Sequence, residues 1–67
     1  MNKFSERLNQ CLKDANISQS ELAKRIGMSQ SVVNNYCTGK REPTLDGLIS
    51  ICKVFNESAD YLLGLEN

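Results

Sequence analysis

Histidine and tryptophan are absent from this chain, proline occurs once, and the aromatic residues are two phenylalanines and two tyrosines. Without histidine there is no ordinary general base and no imidazole to complete a zinc site. The three cysteines, Cys11, Cys37 and Cys52, are odd in number and have no C-x-x-C spacing. An enzyme built on this chain would need Cys37 as its nucleophile with no base to activate it. No glycine-rich phosphate loop or paired carboxylates stand in for one. Neither a metal nor a cofactor is therefore expected. The thiols are expected to be buried or half-buried, with a redox role for Cys37 as the alternative. No apolar run is long enough to cross a bilayer, and residues 1–17 are polar and amphipathic rather than leader-like. No membrane association and a cytoplasmic location are the expectation.

What is present is helical patterning throughout. At 67 residues the chain is near the lower limit for folding without a disulfide or metal, which demands a compact core. Phe4, Leu8, Cys11, Leu12 and Ala15 repeat at a period near 3.6, predicting a first helix from about Asn2 to Ala15 that ends at Asn16. Ser18-Gln19-Ser20-Glu21 has the form of a capping box, in which Ser18 accepts from the Glu21 amide and the Glu21 side chain reaches back to the Ser18 amide. A second helix is thus expected from Gln19, with Leu22, Ala23 and Ile26 inward and Gly27 just past its end. Ser29 caps a third helix, Gln30 to about Thr38, with Val33, Tyr36 and Cys37 inward and Gly39 closing it. Thr44 caps a fourth helix carrying Leu45, Leu48, Ile49, Cys52 and Phe55, with Asn56 at its exit. Ser58 caps a short fifth with Tyr61, Leu62 and Leu63 before Gly64. The Asn16-Ile17-Ser18 and Asn56-Glu57-Ser58 acceptor patterns are read as caps. The expected architecture is all-α: five short helices packed as one domain over residues 1–67.

Two short helices joined by Gly27, Met28 and Ser29 have the connection of a helix-turn-helix, spanning about 19–38, whose second helix can enter a DNA major groove. Ala23 lets the two helices cross closely. Gln19, Leu22-Ala23, Ile26-Gly27, Ser29-Gln30-Ser31, Val33, Tyr36 and Gly39-Lys40-Arg41-Glu42-Pro43 resemble the motif of the lambda-repressor/Cro-like family, also called the xenobiotic-response-element type. The resemblance continues through Leu45 to Phe55 and into Ala59 to Gly64. It implies a sequence-specific regulator of transcription, a repressor above all, bound to double-stranded DNA.

With Val33, Tyr36 and Cys37 directed inward, the outward positions of the third helix are Gln30, Ser31, Asn34, Asn35 and Thr38. Gln and Asn each donate and accept at once, matching the N6 and N7 edge of adenine. The resemblance implies that Gln30, Ser31 and Asn35 read bases; Asn34 can serve as base reader or otherwise. It also implies that Gln19, at the start of the second helix, binds phosphate, where free amides and the helix dipole favour an anion. Thr38, Lys40 and Arg41 flank the reading helix and are assigned to phosphates as well. Val32 departs from the family, which more often has a small hydroxyl residue there; the resemblance therefore implies no phosphate contact at Val32, and its side chain is of a kind that can meet a thymine methyl.

Net charge is zero, but residues 18–41 carry a net +3 and residues 42–67 a net −4. DNA would orient such a molecule more than attract it. A single short helix touches few base pairs, so a homodimer on two half-sites about 34 Å apart is expected, with Phe55, Tyr61, Leu62 and Leu65 as the candidate contact surface; completing the core is the equal alternative for Tyr61 and Leu62. Taken as a whole protein, so short a chain leaves no room for an inducer-binding domain, and no small-molecule ligand is expected; a fragment of a longer regulator is the other possibility. The competing function is a protein-interaction module of the same fold, resembling an antitoxin or antirepressor. Its support is the zero net charge and the missing basic residues on the third helix.

Overall fold

The computed structural model describes residues 3–66 and contains five helices: α1 (Phe4–Ala15), α2 (Gln19–Ile26), α3 (Gln30–Thr38), α4 (Leu45–Phe55) and α5 (Ala59–Leu63). Asn2, the expected start of the first helix, lies outside the described residues. Four of the five starts have a side-chain cap. Ser18, Ser29, Thr44 and Ser58 accept from the amides of Glu21, Val32, Gly47 and Tyr61 at 3.0, 3.2, 3.1 and 3.0 Å, each satisfying one of the amides a helix start leaves unpaired. The returning half of the predicted capping box is not made. The Glu21 carboxylate instead accepts from Arg25 Nε at 2.9 Å, because an acid one turn before a base along an exposed helix face is the favourable order.

α1 packs against α3 and α5, α2 against α3 and α4, and α4 against α5. The buried core is Phe4, Leu8, Cys11 and Leu12 from α1, Leu22 and Ala23 from α2, Val33, Tyr36 and Cys37 from α3, Leu48 and Ile51 from α4, and Leu62 from α5. Phe4 meets the Tyr36 ring edge to face, centroids 6.3 Å apart, an arrangement that favours the opposed ring quadrupoles. Gly64 is in the left-handed region with φ +79°, and a Cβ there would lie 2.6 Å from Lys3 Cβ and Cγ; both facts require glycine.

Three expectations are corrected here. Leu45 and Ile49 are exposed, and α4 turns Gly47, Leu48 and Ile51 inward instead. The apolar residues of this helix form an arc wider than the core covers, opposite Asp46, Ser50 and Lys53, so its sequence leaves the buried part of the arc open, and α2 and α5 decide it. Ala15 is likewise exposed at the end of α1. Of the two roles open to Leu62, dimer surface or core, the structure selects the core: it is fully buried, leaving nothing of it for a partner to touch.

Ile51→Ala should therefore cost about 2–5 kcal/mol by opening a cavity, whereas Ile49→Ala should cost well under about 1 kcal/mol. Urea denaturation of the two variants measures both; equal losses would contradict the observed register.

Candidate nucleic-acid interface

The turn between α2 and α3 is built from Gly27, Met28 and Ser29. Gly27 has φ +71°, which gives the chain its sharp reversal at low cost. The Gly27 and Met28 amides then return to the Lys24 and Ala23 carbonyls at 3.4 and 2.9 Å. Behind this turn Ala23, Leu22 and Val33 are buried between the two helices. The Tyr36 hydroxyl reaches Met28 Sδ at 3.4 Å, joining the turn to the far side of α3. With the inward face so fixed, Gln30, Ser31, Asn34 and Thr38 project into solvent and Asn35 is half-buried.

Gln19 and Asn34 are brought together from different helices. Asn34 Nδ2 donates to Gln19 Oε1 at 3.2 Å, so the Gln19 amide is oriented, and Gln19 Nε2 and Asn34 Oδ1 have no hydrogen-bond partner among the described residues. Gln30 and Ser31 stand at the exposed first turn of α3. At the other end of the helix, the Lys40 and Arg41 amides both donate to the Asn35 carbonyl, at 3.0 and 3.2 Å. This fold of the backbone fixes where the two cationic residues leave the helix. Their side chains are exposed, and neither has an ion pair among the described residues. Thr38 Oγ1 donates back to the Asn35 carbonyl at 3.4 Å, leaving the hydroxyl oxygen able to accept but its proton engaged. Val32 is half-buried beside the reading face.

Sequence reasoning overlooked Asn9. Its Nδ2 donates to the Ser5 carbonyl within α1 and to the Cys37 carbonyl in the last turn of α3, both at 2.9 Å. A carbonyl in the last turn of a helix has no partner inside that helix, and α1 supplies one across the interface. No periodicity marks such a contact, since it joins residues 28 positions apart through one side chain.

The cysteines are free thiols: Cys11 and Cys37 are buried and Cys52 is partly so. Burial pushes all three upward from 9.0, and Cys11, also facing the charges of Glu57 and Asp14 and the Cys52 thiol, reaches about 11. Cys37 is thus held as the neutral thiol near pH 7, the unreactive form, which weighs against a redox role.

A helix-turn-helix family model matches residues 8–62. The chain belongs to the lambda-repressor-like helix-turn-helix family. It is 37% identical over 60 residues to the HTH-type transcriptional regulator YqaE of Bacillus subtilis (strain 168), covering 90% of this chain and 52% of that protein. To the regulator ImmR of the same organism it is 32% identical over 61 residues, covering 91% of this chain and 48% of the other. The chain thus spans about half the length of these relatives. The crystal structure of the P22 c2 repressor in complex with the synthetic operator 9T superposes with a TM-score of 0.90 at 27% identity, covering 98% of this chain and all of that one.

Two outcomes are expected from this geometry. Asn9→Ala should lower stability by about 0.5–1.5 kcal/mol and speed amide exchange in the last turn of α3 more than in α4; unchanged exchange there would contradict the tether. The raised thiols give the second. A neutral thiol is favoured in the folded state, so its contribution is complete below the unfolded value of 9.0 and is lost as pH climbs toward about 11. Denaturation midpoints should fall over that window in the wild type and fall less in Cys11→Ala.

Proposed function

We propose that this chain is a sequence-specific double-stranded-DNA-binding regulator of transcription, acting in the cytoplasm as a repressor that occupies a promoter as a homodimer. It is a binding protein rather than an enzyme, and residues 1–67 act as a single DNA-binding domain. The observation that carries this reading is the outward row of amides and hydroxyls on α3, bounded by two unpaired cationic side chains at one end and an oriented amide at the other. Gln30, Ser31 and Asn35 read base edges in the major groove, with Asn34 both reading and bracing Gln19. Gln19, Lys40 and Arg41 hold the phosphates on either side, which position the helix without reading sequence, and Thr38 joins them by turning its hydroxyl proton from the Asn35 carbonyl to a phosphate oxygen. The likeness to a repressor solved on a synthetic operator supports the same use of this helix.

A second reading has one observation in its favour: α3 carries no charged side chain in any of its nine residues. In that case the same face would bind a protein. Ionic strength separates the two. Each phosphate neutralised by Lys or Arg contributes about −0.9 to the slope of log affinity against log salt. Lys40 and Arg41 of two protomers should thus give a slope of about −3 to −4.

Selection of bound duplexes from a random pool tests the proposal directly and should enrich a site with two symmetric halves about 34 Å apart. On that site Gln30→Ala should cost about 1–3 kcal/mol and leave random duplexes unaffected, while Lys40→Ala should weaken all sequences alike and flatten the salt slope by about 2. Failure to enrich any site at low salt, or a reversal of the two mutant phenotypes, would refute the assignment.

A further inference from the structure

Val32 is the one apolar side chain of α3 that is not buried. Its neighbour Val33 is fully enclosed and Tyr36 and Cys37 are buried, whereas Val32 packs one side on the core and leaves the other open. Its place is fixed by the backbone, since the Val32 amide is the one that the Ser29 cap holds, at 3.2 Å. Asn35 stands on the same flank of the helix three residues later, where Cβ atoms are about 5–6 Å apart. The Asn35 carbonyl receives the Lys40 and Arg41 amides, and its side-chain amide has no hydrogen bond among the described residues. A fixed methyl surface thus lies beside an anchored, unengaged amide.

We infer that Val32 is a specificity-determining residue that reads the 5-methyl group of a thymine beside the adenine that Asn35 reads, an inference that rests on the DNA-binding reading above. Three features choose thymine. A·T pairs offer a methyl group to the major groove on the same edge as the adenine N6 and N7 atoms that an amide can pair. α3 carries no arginine or lysine for guanine O6 and N7, and no carboxylate for the cytosine amino group. The valine side chain has no polar atom with which to take a phosphate or any other base edge. Packing on the core accounts for its buried side; the open side is apolar surface in water, which a methyl group in the groove would cover. Base steps are about 3.4 Å apart, so the spacing of Val32 and Asn35 keeps their two contacts within about two base pairs.

Exchange of uracil for thymine in the enriched duplex tests this, because it deletes the 5-methyl group and leaves base pairing and the rest of the edge in place. The wild type should lose about threefold to fivefold in affinity at one thymine of each half-site, the value of one buried methyl group, and little at the others. Val32→Ala should bind the thymine duplex more weakly by about the same factor and be indifferent to uracil at that position, the non-additivity that marks a direct contact. A purely structural role would weaken both duplexes alike and leave the uracil loss intact. Asn35→Ala should relax base preference within about two pairs of the same thymine. Circular dichroism verifies that Val32→Ala is folded; should it not fold, Val32→Thr, which keeps the shape and replaces one methyl group by a hydroxyl, is read in the same cycle. A wild type indifferent to uracil at every position, a half-site without thymine, or a uracil loss unchanged in the variant overturns the proposal and leaves the DNA reading standing. A random pool that yields no site overturns both.

Discussion

The orientation of α3, and with it the candidate interface, depends on the reversal at Gly27. The left-handed backbone there ends α2 and returns two amides to its last carbonyls. It also delivers Ser29 to cap α3 within three residues. A longer or looser connection would allow α3 to rotate about its own axis. With the turn this short and Ala23 buried at the crossing, one rotation buries Val33, Tyr36 and Cys37, and the amide face is what remains outside. The function proposed for α3 is thus a consequence of its burial on the other side.

Contacts from outside the turn then remove the remaining freedom. Asn9 takes a terminal carbonyl of α3 from the side of α1, and Asn34 binds Gln19 at the head of α2. The backbone at Lys40 and Arg41 folds over the last turn. Reading side chains on a helix pinned at both ends lose less freedom when a ligand arrives, so more of each contact reaches the binding free energy. The opposite end of the bundle is closed in a comparable way. Arg7 donates to the Tyr61 and Glu66 carbonyls at 3.2 Å, and Ser58 donates to the Glu66 carboxylate at 2.8 Å.

The helix ends were legible in the sequence because they are set by local chemistry. A serine or threonine stands before four of the starts, and a glycine or asparagine follows every end. The inward face of α3 was equally plain, since Val33, Tyr36 and Cys37 fall at helical spacing among mostly polar residues, and the outward row of the candidate site followed by subtraction. The face of α4 could not be read in this way: Leu45, Leu48, Ile49, Ile51 and Cys52 form one broad apolar arc, and only the neighbouring helices select which part of it is buried. Asn9, the bond from Asn34 to Gln19 and the turning of Glu21 toward Arg25 each depend on where one polar atom falls in three dimensions. No period or spacing encodes that.

The account makes α3 the element that touches DNA, with its amides fixed in place beforehand. The most direct measurement is the two-dimensional NMR spectrum of the chain titrated with duplex at low salt. The side-chain amide signals of Gln19, Gln30, Asn34 and Asn35 and the backbone signals of Lys40 and Arg41 should move, while those of the buried core helices hold their positions. A titration in which binding occurs and the α3 amides stay unmoved would contradict the account at its centre.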